Sequence, residues 1–211
     1  MRKKIIPFLL SAVMSAVHAQ SVGDMFVSMP DSLFPYLAKE QRAELVNLKR
    51  LDPSSPAVLR SVFNCDVTMS HSVVPDDILT TRIDSTVEFS IARLHNAAGD
   101  SLYCVLQTVA APEKESVATI YNKEWERVGD VDFTGIQFVH RPDTMQKETF
   151  DNLTRLIEFP MVEGRFGNKG DIVVWQNVPM TSKEEKERLK AILKVRVLRW
   201  NGKEYSPENK E

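Results

Sequence analysis

The sequence predicts an α+β fold: an N-terminal helix, then an antiparallel β meander, then a second strand-helix-strand half that reads as a diverged repeat of the first. Three observations carry this expectation. Leu37, Leu45, Leu48 and Leu51 fall on one side of a helix. Between residues 61 and 128 apolar and polar residues alternate with period two, in short runs broken by turn residues. Thr181 and Ser182 each have a glutamate three residues on, Glu184 and Glu185, a doubled capping-box pattern that opens a short helix within the second half.

The first element is a leader. Arg2, Lys3 and Lys4 form a positive region, Ile5 to Val17 is mostly apolar, and Val17-His18-Ala19 offers the small or modest side chains that a signal peptidase reads. A stretch of about thirteen apolar residues is too short for a membrane span, which needs roughly twenty. The expectation is a signal peptide over 1–19, cut after Ala19, and an exported mature chain in the periplasm or outside the cell. No cysteine follows the cut to carry a lipid, and no later apolar run reaches spanning length.

Of 211 residues, 192 then remain; three of the 27 basic residues leave and all 29 acidic ones stay, so the net charge is −5. Basic residues scattered along a mildly acidic chain give no footprint for nucleic acid. The organisation expected is a lead-in and helix over 20–60 and an antiparallel α+β domain over 61–211, with halves at 61–140 and 141–211.

Residues 20 to 29 read as an extended lead-in, and Asp31 and Ser32 as N-cap residues of a helix running to about Leu51, with Pro35 tolerated in its first turn. "DPSSP" stops it. "SVFNCDVTM", "STVEFSIARL", "SLYCVLQTVA" and "SVATIY" are strands, and Asn122-Lys123 turns the chain into "EWERV". Such alternation implies one covered face and one wet or partly covered face. Residues 143–159 read as a helix and "IVVWQNV" as a strand. "VRVLRW" is another, followed by Asn201-Gly202 as a type I′ hairpin turn and a last strand holding Tyr205.

Cys65 and Cys104 both fall in the inward register of their strands. That is compatible with a disulfide in an oxidising compartment and equally with two buried free thiols. "GDSLYCVLQTVAAPEKE…VATIYNKEWERV" and "GDIVVWQNVPMTSKEE…VRVLRWNGKEYSP" share an order of strand, proline-charged link, strand, asparagine turn and aromatic strand. This reads as an internal repeat, the alternative being two unrelated hairpins in one sheet.

Chemical motifs are few. "DVDFT", Asp130 to Thr134, matches the aspartate pair of haloacid-dehalogenase-like phosphatases, but "ERVG" before it is no buried parallel strand, and the later "GDIVVW" lacks the second acidic residue such enzymes use for the metal. Read as a calcium loop, it puts Arg141 where a bidentate glutamate is required. Asp76-Asp77 after Pro75 reads as a turn or a helix start rather than as paired catalytic carboxylates. His71, His95 and His140 lack zinc spacing, and no G-x-S-x-G, phosphate-binding loop or dinucleotide fingerprint occurs. The sequence therefore calls for no cofactor, no metal and no recognisable catalytic residue. Trp125, Trp175, Trp200 and Tyr205 are the candidate binding residues, through stacking on a peptide or sugar, against the simpler reading of cross-strand packing.

The segment "MPDSLFPYLAKEQRAELVNL", with "LQTVAAPEKES" and the closing "LRWNGKEY", resembles an uncharacterised family of small exported proteins from Bacteroidetes-type bacteria. The resemblance implies export and a shared fold, and implies no catalytic residues. The function expected is a non-catalytic binding or interaction module facing an envelope protein, a peptide or a glycan. An enzyme acting through Asp130 and Asp132, and a structural envelope role, are the alternatives.

Overall fold

A computed structural model describes residues 21–73 and 77–208, so the leader, Pro75 and Asp76 lie outside the described residues. The chain is mostly β, which corrects the α+β expectation. Two antiparallel sheets are accompanied by only four short α-helices among the described residues.

Two helices stand where one was expected, and the predicted one is shortened to its second part. Helix α1, Val22–Ser28, occupies the stretch expected to be extended; Ser21 caps it, its Oγ accepting the Asp24 N–H at 3.1 Å. Helix α2, Lys39–Leu51, begins only after "MPDSLFPYL" has passed as a loop, and the Gln41 side chain accepts the Ala38 N–H at 3.1 Å. The buried stripe of α2 is Arg42, Leu45, Val46 and Lys49, whereas Leu51 is 83% exposed. Two cations thus lie on the inner face because they cap backbone carbonyls. Lys49 Nζ donates to Pro53 O and Ser55 O, each at 2.9 Å, and to Ser70 O at 3.3 Å, beside the bulge of the second strand.

The first sheet is a meander in sequence order. Its strands are β1 (Ala57–Arg60), β2 (Asp66–Val73), β3 (Ile78–Ile83), β4 (Val87–His95), β5 (Ser101–Ala110), β6 (Lys114–Tyr121) and β7 (Arg127–Asp130). The strand expected from Ser61 starts at Asp66, because Ser61–Cys65 is a turn closed by Ser61 N–H to Cys65 O at 2.8 Å, with Asn64 at φ 63°. Helix α3 (Lys147–Thr154) is shorter than expected, and β8 (Met161–Phe166) follows it. The second sheet, in order β11-β10-β9-β8, adds β9 (Ile172–Asn177), β10 (Arg196–Trp200) and β11 (Tyr205–Pro207). Between β9 and β10 lies α4 (Lys183–Leu189), where the capping box forms as read: Glu185 N–H to Ser182 Oγ at 3.2 Å and Ser182 N–H to Glu185 Oε2 at 2.8 Å. Thr181 instead donates to Val178 O at 2.8 Å.

The layers explain why alternation misled. On one face of the large sheet α1, α2 and the loop between them pack Phe26, Phe34 and Leu45 onto Val67, Phe89, Ile91 and Tyr103. On the opposite face the small sheet packs Ile172, Val174 and Leu198 onto Cys104, Leu106, Ala118 and Ile120. Phe89–Ala92 and Tyr103–Leu106 are buried continuously, so both faces of β4 and β5 are covered. The expected wet face exists only toward the edges, where Val117 is 63% exposed.

This arrangement also separates the cysteines. Cys65 packs beside the helical core and Cys104 lies in the core between the sheets, so they approach opposite faces, and both are free thiols. Of the two alternatives, a bridge or two free thiols, the structure has the second. Burial pushes the Cys104 thiol up to about 12 and keeps it protonated.

Candidate functional site

The four candidate aromatic residues are held by polar latches and are not gathered at one place. Trp125 lies in the β6–β7 turn, its ring centroid 5.6 Å from that of Tyr121, and its Nε1 donates to Ser28 Oγ of α1 at 3.2 Å. That turn has a sibling. Asn122 Oδ1 accepts the N–H groups of Glu124 and Glu126 at 3.0 and 2.9 Å, as Asn96 Oδ1 accepts those of Ala98 and Asp100 at 2.9 and 2.8 Å. Each leaves its fourth residue at positive φ: 87° at Gly99 and 63° at Trp125. A bulky residue there is unfavourable, and its anchorage to α1 and Tyr121 accounts for its presence.

Trp200 and Tyr205 close the second sheet against the first. Trp200 Nε1 donates to His95 O at 2.6 Å, and the two rings lie 5.3 Å apart. Tyr205 O–H donates to Gly170 O at 2.7 Å, and burial next to Cys104 pushes the phenol far above its ordinary value, keeping it neutral. The turn between them is not type I′. Trp200 pairs with Tyr205, so four residues form the loop, and only Gly202 has positive φ, 94°. Asn201 Oδ1 accepts the N–H groups of Lys203 and Glu204. The echo between the two hairpins therefore does not extend to their turns. A Cβ at Gly202 would meet the Ala97 backbone N at 3.3 Å. Gly202→Val is expected to cost about 1–3 kcal/mol through backbone strain and that contact. An unchanged melting temperature would show that the hairpin docks elsewhere.

Trp175 is on the outer side of the small sheet, with Nε1 donating to Glu163 Oε2 at 3.1 Å and the Arg165 guanidinium 5.6 Å from the ring centroid. It borders a depression of about 470 Å³ shared with Leu189, Leu193 and Lys194.

A wider opening than this lies elsewhere, and no aromatic motif pointed to it. A groove of about 690 Å³ runs between the outer edge of β6, the segment Val131 to Phe138, Pro160, and Val162 and Gln176 of the small sheet. It exists because β7 pairs with β6 only from Thr119 to Tyr121, leaving the first half of β6 paired with β5 alone. Asp132 turns the chain away, its Oδ1 accepting both the N–H and the O–H of Thr134 at 2.7 Å. On the far side the sheets are fastened together. Gly164 N–H donates to Ser116 Oγ at 2.9 Å, Asn177 Nδ2 donates to Lys114 O at 2.9 Å, and Lys114 pairs with Glu163 at 3.2 Å.

Asp130 and Asp132 both border this groove, which sequence alone did not indicate. Asp130 is bound by Arg127, and the Thr119 hydroxyl donates to it at 3.0 Å. These bonds hold its carboxyl below the usual value, and the Thr134 hydroxyl and N–H do the same for Asp132. Both are exposed and held ionised, an environment opposite to that of a general acid, whose pKa must be raised toward neutrality. Among the described residues no group of three or more His, Cys, Asp or Glu side chains is placed to hold a metal. No helix among them is long and apolar enough to cross a membrane.

These features define a two-sheet antiparallel β protein with a helical cover on one face and an open groove where the sheets meet. The chain belongs to the family described as "Protein of unknown function (DUF3256)", whose model matches residues 14–205. It is similar to the structure of a domain of an uncharacterized protein from Porphyromonas gingivalis W83, with a TM-score of 0.67 and 19% identity over 90% of this chain and 100% of that one. At that identity the likeness is one of fold. No curated protein matches the chain. The resemblance drawn from "MPDSLFPYL" thus holds for an uncharacterised family with a structural relative from a Bacteroidetes bacterium.

Proposed function

We propose that the chain is an exported, non-catalytic binding module of the cell envelope, and that its ligand occupies the groove beside β6. The observation that carries this reading is the groove itself: about 690 Å³, in the range of ligand sites, with an apolar interior and carboxylates at the rim that are fixed in their charged form. Trp125, Trp200 and Tyr205 support it indirectly. Their polar atoms are engaged by Ser28, His95 and Gly170, so they serve packing and leave recognition to the groove. Export rests on the leader composition of residues 1–19.

The test is amide chemical-shift mapping of the labelled protein against a panel of peptides and oligosaccharides. Shifts should cluster at Val131, Ile136 and Val162. Turnover of any panel member that Asp132→Asn abolishes would replace this reading with the hydrolase alternative. For export, the mature protein recovered from the periplasm or medium should begin at Gln20; an intact Met1 in the cytoplasm would contradict it.

A further inference from the structure

Resting on the groove as the binding site, we infer that its occupant is an extended peptide segment that adds to the edge of β6, with basic and apolar residues in alternation. The backbone directions follow from the register. Ala110 N–H donates to Thr86 O at 2.8 Å, so the even-numbered residues of β5 direct their backbone groups toward β4 and the odd-numbered ones toward β6. Their partners Glu115, Val117, Thr119 and Tyr121 therefore bond inward to β5, while Lys114, Ser116, Ala118 and Ile120 point outward. Ile120 faces Gly129 of β7, Ala118 O accepts the Val131 N–H at 2.9 Å, and Lys114 O accepts Asn177 Nδ2. The outward N–H and C=O of Ser116 meet no group of the described chain, although the residue is only 4% exposed.

A buried backbone pair without a partner is costly, and an added strand satisfies donor and acceptor together. β7 stops at Asp130 and leaves the line of β6, so a peptide laid against Lys114 to Val117 would continue the position that β7 vacates. Side chains of such a peptide would alternate between the two sides. One set meets Ile136, Phe138 and Val162, which are apolar; the other meets Glu115, exposed Val117 and the rim carboxylate of Asp132. The charge of Asp130 is already balanced by Arg127, so the net field at this end is negative and selects Lys or Arg opposite Glu115.

Two synthetic ten-residue probes decide the matter: alternating lysine and valine, and the same peptide with proline at its centre, which removes a backbone donor. The first should shift the Ser116 amide and slow its hydrogen exchange, bind more weakly as salt rises, and lose at least about fivefold in affinity on Val117→Lys, a change at an exposed edge position that leaves the melting temperature unaltered. Glu115→Gln should cost about two- to fivefold. Equal binding of the proline peptide, or a Ser116 amide indifferent to both probes, overturns strand addition. Groove shifts produced by an oligosaccharide and not by the peptides would overturn it too, while leaving the groove as the binding site. Concentration-dependent dimerisation that Val117→Lys abolishes would assign the edge to a second copy. A groove silent to every probe removes both this inference and the reading beneath it.

Discussion

Replacing Arg42 with methionine should destabilise the fold by about 3–5 kcal/mol, read from the denaturant midpoint by circular dichroism. The guanidinium is 1% exposed and donates to Met29 O at 2.6 Å, Leu37 O at 2.8 Å and Phe34 O at 3.4 Å, so one side chain serves the end of α1 and the loop that follows. Methionine fills the volume and leaves those carbonyls buried without donors, each such loss costing about 1–3 kcal/mol. The ion pair with Asp31, at 2.9 Å, is a lesser part because that carboxylate is 75% exposed. Asp31→Asn should therefore cost under about 1 kcal/mol. If Asp31→Asn proved as damaging as Arg42→Met, the carbonyl account would be wrong and the ion pair would be the main interaction. Arg42→Lys keeps the charge without the planar fork and should fall between the two.

Phe34→Ala should cost about 3–5 kcal/mol, a comparable loss by a different mechanism. The ring is fully buried and edge-on to Phe26, Phe89 and Tyr36 at 5.0, 5.1 and 5.3 Å, so its removal opens a cavity where the loop, α1 and β4 meet. Because Arg42 holds the backbone of the loop that presents Phe34, the double variant should lose less than the sum of the singles. Strict additivity in a double-mutant cycle would show that the loop is positioned by something other than the guanidinium. Single domains carry roughly 5–15 kcal/mol in total, so either change alone consumes a large part of it.

Much of the fold was legible where local chemistry decides it. The period-two runs marked β4, β5 and β6, and the Ser182–Glu185 pair fixed the start of α4. What was not legible depended on partners distant in sequence. The segment "MPDSLFPYL" offers Asp31 and Ser32 as caps, yet its carbonyls turn toward Arg42, eleven residues beyond Asp31, and the helix waits until Lys39. A shorter-range signal in α1 was present but unused: Val22, Met25 and Phe26 have helical spacing after a serine cap. Strands β1, β3 and β8 were missed, and β8 contains Gly164, whose N–H bonds Ser116 of the other sheet. The class changed from α+β to mostly β because the helices are short and a second sheet, not solvent, covers β4 and β5. As for the site, Asp130 and Asp132 were visible as a motif, but the groove they border comes from the early end of β7, a register property that no residue type announces.

The double cover of β4 and β5 sets an order of opening. Loss of the helical layer bares one face of these strands, and loss of the small sheet bares the other; neither alone frees their amides, which bond within the large sheet. Native-state exchange at Ile91 and Val105 should then follow global unfolding, whereas amides of α1 and β11 should exchange through separate, cheaper excursions on opposite sides of the molecule. Strand β5 becomes the place where two otherwise independent fluctuations are forced to report on one another.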